Sequence, residues 1–256
     1  MLSPAIALCL ACASTRLPES QFLDNLKYNL ECFRELVDRL NKEAQDIKLD
    51  TYTQKVNTLK QSISGRYRFL VNDIEHLKEH WFVEPGNGEE YSVGILYTMF
   101  AHFVTLDSPY SHIWLRPRTF SSMGIDSIAV EIGQNSLSEK VHKTLEYKYR
   151  FSPNDEFNHP LILTDQIVCW DMPTGQEGEL IKDSYNFYGK IYFTEELDGI
   201  GYGIADIVSH EGESYSGKVK VISLKKLLNK TFDCQWADPA PKATAFATGK
   251  GRKKSK

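Results

Sequence analysis

The chain has 256 residues, enough for one or two domains. Apolar residues make up 41% and aromatic ones 12%, which can build a sizeable core, and no window reaches the roughly 18 consecutive apolar residues of a membrane span. A net charge of −4 excludes a general polyanion binder, so contact with nucleic acid has to run through a local basic surface or through metal ions that offset phosphate charge.

The first residues, Pro4 to Ser14, are apolar but have no Lys or Arg ahead of them, which a secretory signal needs. A cytoplasmic protein with a disordered or ragged stretch at 1–18 is expected. Five cysteines, Cys9, Cys12, Cys32, Cys169 and Cys234, are an odd and scattered set that suits a reducing compartment. Cys9 and Cys12 form a C-x-x-C with no second pair at zinc-ligand spacing, so chance is the favoured reading.

From about Glu19 to Trp81 the pattern is helical. Phe22, Leu26, Leu30, Phe33, Val37 and Leu40 recur at steps of three and four. A polar interval at 46–50 follows, and the series resumes through Tyr52, Val56, Leu59 and Ile63 to Trp81, close to a heptad seam. Two helices joined by a break predict a helical hairpin over 19–83, either packed on the next domain or serving as a dimerisation or docking arm.

Glu84-Pro85-Gly86-Asn87-Gly88 marks a boundary. A helix then follows, with Glu89 and Glu90 in its first turn and Val93, Leu96, Tyr97, Phe100 and Val104 as its buried stripe. Strands are expected at 124–132, 144–151, 166–170, 189–194, 201–208 and 218–222, and a closing helix at 224–231. The domain at 88–236 is therefore α/β or α+β. Lys250, Arg252, Lys253, Lys254 and Lys256 give 237–256 the composition of a basic mobile tail.

Chemistry concentrates on Thr144-Leu145-Glu146-Tyr147-Lys148-Tyr149-Arg150-Phe151. Alternation on a strand turns Glu146, Lys148 and Arg150 one way and the apolar residues the other. A hairpin-like return would bring Asp126 beside Glu146. Two carboxylates can hold Mg²⁺, a hard ion that takes oxygen ligands, and a lysine beside them can activate water or stabilise charge on a phosphate. The other reading is a solvated strand face whose ion pairs add only tenths of a kcal/mol. Asp165 and Asp171 read as turn or cap residues, and His142, His159 and His210 as ordinary histidines with no partner at ligand spacing.

Asp126, followed by Glu146-x-Lys148 on the next strand and the apolar run Gln166-Ile167-Val168-Cys169-Trp170, resembles the PD-(D/E)XK nuclease superfamily. Gly124-Ile125 stands where that motif has a proline before its aspartate. The resemblance covers roughly 88–231 and implies a restriction-endonuclease-like mixed sheet flanked by helices. It also implies a nuclease that hydrolyses DNA in restriction, repair or phage defence, with Asp126, Glu146 and Lys148 catalytic. Asp126, Glu146 and Glu90 would be the metal ligands, Glu89 being the alternative to Glu90, and the cofactor Mg²⁺ or Mn²⁺. Some bacterial members follow ATPase modules, which implies an ATPase partner besides DNA. The competing class is a non-catalytic module in which the helical arm docks a partner or forms a homodimer.

Overall fold

A computed structural model describes residues 19–121, 124–155 and 157–239, with side chains from residue 24 onward. The chain divides into two compact units, one ending at Ser64 and the other starting at Gly65. The expected ragged stretch at 1–18 lies outside the described residues, as do Cys9, Cys12 and all of the expected tail at 237–256 beyond residue 239; Ala237 at its start belongs to a strand. The three described cysteines are all free thiols.

The described residues of the first unit form one helix, α1 (Glu19–Ser64), of 46 residues. This corrects the expected hairpin over 19–83. The interval Asp46-Ile47-Lys48-Leu49-Asp50 is polar but contains neither Gly nor Pro, so nothing in it interrupts the backbone ladder. The helix ends instead at Ser64, ahead of Gly65, a poor helix former. Among the described residues no helix is long and apolar enough to cross a membrane.

Residues 65–83 join the second unit, which moves the boundary from 84–88 to 64/65. Over Arg68-Phe69-Leu70-Val71 burial alternates with period two, and β1 (Arg68–Val71) is a strand whose Phe69 and Val71 are buried. It sits between β2 (Phe82–Val83) and β12 (Cys234–Ala237) in a three-stranded antiparallel sheet.

The larger sheet has nine strands and makes this unit mixed α+β. Helix α2 (Glu90–Ala101) leads into an antiparallel meander of β3 (Leu115–Phe120), β4 (Ser127–Glu131) and β5 (Lys143–Lys148). Next to β5 comes β6 (Gln166–Cys169), parallel to it, then β11 (Val219–Ser223), parallel to β6. The order continues antiparallel through β9 (Gly201–Ser209), β8 (Phe187–Tyr192) and β7 (Leu180–Lys182), with β10 (Ser214–Tyr215) on β9. Pro117 has no N–H to give and lies on β3, an end strand with a register shift just past it, where such a residue is tolerated. Helix α3 (Leu224–Thr231) is capped by Ser223, whose hydroxyl accepts from the Lys226 N–H at 3.2 Å.

Two apolar clusters make up the core. One gathers Tyr97, Phe100, Leu145, Tyr147, Val168, Trp170 and α3. The other holds Ile167, Cys169, Ile191, Tyr202, Ile204 and Val221. Leu145 and Tyr147 join the first cluster as alternation on β5 requires. Phe151 joins the second, because the strand ends at Lys148 rather than at 151.

Candidate active site

The site is built where α2 rests on β5. Gly94 makes this approach possible, since a Cβ there would lie 2.8 Å from the Tyr147 ring. The start of α2 is fixed by Arg66, whose guanidinium grips the Glu89 carboxylate through two bonds of 2.6 and 2.7 Å. Glu89 also accepts the Gly86 N–H at 3.0 Å. Glu89 is therefore committed to holding the helix, and the hydrogen bonds from Arg66 hold its carboxyl below the usual range. Glu90, the next residue, is left to face the site.

Glu146 on β5 has no exposed surface. A solvated charged face does not describe it. Its Oε1 accepts the backbone N–H of Asp126 at 3.3 Å, and Asp126 Oδ2 accepts the N–H of Tyr147 at 2.9 Å. These reciprocal bonds lock the residue just ahead of β4 onto β5 and set the two carboxyls against each other. Burial, and then the Asp126 carboxylate, push Glu146 up to about 8, while Lys148 opposes the shift.

Lys148 lies half-buried two residues further along the strand, with Nζ 3.4 Å from Glu90 Oε2. Glu90 and Asp126 line a cleft of about 210 Å³ together with Tyr91, Gly94, Phe120, Ser121 and Tyr147. Of the four expected site residues, Glu90 and Asp126 line this hollow, while Glu146 meets Asp126 and Lys148 meets Glu90 behind them. Arg150 lies beyond the end of β5 and pairs with Asp171 at 3.0 Å, away from this group. Asp165 ties β5 to the loop before β6 by accepting from the Thr144 N–H at 2.8 Å.

His159 belongs to the site, contrary to the expectation of an ordinary histidine. Its Nε2 stands 3.2 Å from Glu146 Oε2, which is buried, yet the two are not aligned as a hydrogen bond. The loop carrying His159 is anchored on either side by buried Phe157 and Leu161, and Leu161 donates its N–H to Asp183 Oδ2 at 2.7 Å. Burial, and then the Lys148 charge, lower the imidazole below its usual range. A sequence signal was present in Phe157-Asn158-His159-Pro160-Leu161, where two apolar anchors bracket a histidine beside a proline that holds the chain extended.

The donor set suits a hard divalent cation of low protein coordination. Glu146 Oε2 is buried without a hydrogen bond and against a second carboxyl, and a bound cation would favour the ionised form that this setting disfavours. The three-carboxylate set of Asp126, Glu146 and Glu90 is not gathered, because Glu90 reaches Lys148 instead. Among the described residues no three His, Cys, Asp or Glu side chains stand close enough to hold a metal ion by themselves. Mg²⁺ keeps several waters and takes one or two carboxylates plus substrate phosphate, which is what Asp126 and Glu146 can offer. Comparison with protein-family models, with curated proteins and with solved structures finds no match to this chain, so the reading of the site rests on its geometry.

Proposed function

We propose that the unit from Gly65 onward is a Mg²⁺-dependent nuclease that hydrolyses DNA phosphodiester bonds, built on a restriction-endonuclease-like core. One observation carries this reading. Glu146 is wholly buried against Asp126, and Lys148 two residues on along the same strand pairs with Glu90, which lines an open cleft together with Asp126. In support, helix α2, Asp126 just ahead of β4, Glu146 and Lys148 on β5, and the apolar strand β6 follow one another along the chain as in the PD-(D/E)XK resemblance.

In this reading Asp126 and Glu146 hold the cation, and Mn²⁺ substitutes for Mg²⁺. When bound, the ion polarises the phosphate and lowers the pKa of a water. Lys148 presents its ammonium to the phosphate and offsets the charge that builds there. Glu90 holds that ammonium over the cleft, and His159 fills the space beside the inner oxygen of Glu146.

The test is incubation of the purified protein with plasmid DNA and Mg²⁺, Mn²⁺ or EDTA. Cleavage is expected with either metal and not with EDTA. Lys148→Ala should slow it by roughly a hundredfold or more, the scale of losing one charge stabiliser, while circular dichroism stays unchanged. Full activity in that variant would remove Lys148 from the reaction.

A second reading has its own observation. Among the described residues, α1 exposes ten large apolar side chains, from Tyr28 to Ile63. In that reading α1 is the working part, forming a homodimer or docking an ATPase or other partner, and the second unit is a non-catalytic binder.

A further inference from the structure

The cleft that Glu90 and Asp126 line does not end at its carboxylates. Tyr91 and Phe120 line it too, and the same two residues border a second hollow of about 480 Å³ that runs along α2 past Ile95, Met99 and Phe103. Both rings stand in water, Tyr91 73% exposed and Phe120 44%. Phe120 is supported from beneath by Tyr147, the rings 6.0 Å apart and inclined by 27°. The buried face of α2 already has Val93, Leu96, Tyr97 and Phe100, so the core does not use Tyr91.

We propose that Tyr91 and Phe120 form a base-stacking platform and that the site acts on single-stranded DNA. This rests on the nuclease reading above and adds its substrate class. In a duplex the bases are already stacked and paired, so exposed rings beside the cleaved backbone meet only sugar and phosphate. A single strand offers a π-face with every base, and stacking on an aromatic side chain strengthens binding by about fivefold to a hundredfold per base. With a net charge of −4 the chain has no general surplus of positive charge to spread along phosphates, and base stacking is a sequence-tolerant contribution that needs none. Rings that share a cleft with Glu90 and Asp126 would hold the strand with its backbone at the carboxylates.

The experiment compares one labelled 15-mer, single-stranded and annealed to its complement. Cleavage is followed with Mg²⁺, and binding by fluorescence anisotropy in EDTA. Tyr91→Ala, Phe120→Ala and Phe120→Trp are compared with the unaltered chain. Single-strand binding and cleavage are expected to exceed those of the duplex. Both alanine variants should lose about tenfold or more on the single strand, with Phe120→Trp close to the original. Tyr91 is exposed enough that its loss leaves the fold intact, which circular dichroism checks. Equal action on both forms with no effect of the alanines overturns the single-strand inference and leaves the nuclease reading standing. Single-strand binding that depends on the rings, with no cleavage of either form, overturns the nuclease reading and keeps the platform. Absence of single-strand binding overturns the platform. So does a change of oligomeric mass in the alanine variants without a change in DNA binding, because the rings would then be a protein contact.

Discussion

Glu146 carries a cost that the fold does not need for stability. A carboxyl with an ordinary value of 4.5 sits at about 8 because burial and the neighbouring Asp126 disfavour its charged form. Between those two values the folded chain holds a proton that the unfolded chain has released. Stability from this group is therefore fully present below about pH 4.5 and is lost as pH rises through 8. Glu146→Gln removes the ionisation and keeps the shape, so without metal it should melt several degrees above the original chain at pH 8.5, and the gap should shrink toward pH 5. Thermal melts in EDTA at the two pH values measure this, and parallel profiles for the two proteins would place the cost elsewhere. Divalent cation should narrow the same gap at pH 8.5, because binding an ion requires the ionised carboxylate that high pH supplies.

The two apolar rows of α1 are related by the geometry of a single helix. Leu40 ends the first row and Tyr52 begins the second, twelve residues on, so at 3.6 residues per turn they lie about 120° apart around the axis. The helix thus offers two separate seams, not one continuous one. Leu26, Leu30, Phe33, Val37 and Leu40 keep the 4-3-4-3 spacing of a coiled-coil seam, with Leu30, Phe33 and Leu40 about half exposed. If this row pairs with itself, the chain weighs twice 29.3 kDa in solution, and Phe33→Lys with Leu40→Lys returns it to 29.3 kDa. Light scattering after size exclusion separates these outcomes, and a monomer before mutation rules out self-pairing.

Elements with a strong local period were legible in the sequence. The 3-4 spacing of Leu224, Leu227, Leu228 and Thr231 gave α3 its ends, and the apolar run before Asp171 gave β6. The polar interval at 46–50 reads as a break, yet polarity alone does not stop a helix. Strands β3 and β12 carry no such pattern: β3 contains Pro117 between two arginines, and β12 is defined by pairing with β1 more than 160 residues earlier. The site divides in the same way. Alternation on β5 made Glu146 and Lys148 neighbours, whereas the complete burial of Glu146 and its meeting with His159 depend on where a distant loop packs.

At the scale of the whole second unit, Glu146 and Lys148 of the candidate site lie on the large sheet, while an aromatic stack centres on the small one. The small sheet is held by an aromatic stack in which Phe69 lies 4.8 Å from Trp236, 5.3 Å from Phe82, 6.0 Å from Phe100 and 6.1 Å from Trp170. Trp236 also donates its indole N–H to Asn229 at 2.7 Å and carries the Lys225 ammonium 4.6 Å from its ring centre. This one side chain ties the last described strand to α3 and, through Phe69, to the outer turn of α2. Glu146 and Lys148 stand on β5 of the large sheet, and Gly94 seats α2 there independently of Phe69. Trp236→Ala should therefore cost about 2–4 kcal/mol of unfolding free energy, somewhat below the usual loss for a fully buried tryptophan because this one is half-buried. Cleavage measured well below the lowered melting temperature should stay within about twofold, since each carboxyl and the lysine keep their supports. Urea denaturation gives the first quantity and the plasmid assay the second. Unchanged stability would mean that the small sheet does not bear on the core. A cleavage rate that falls in step with stability would mean that α2, and Glu90 with it, is positioned from the small sheet and not from its seat on β5.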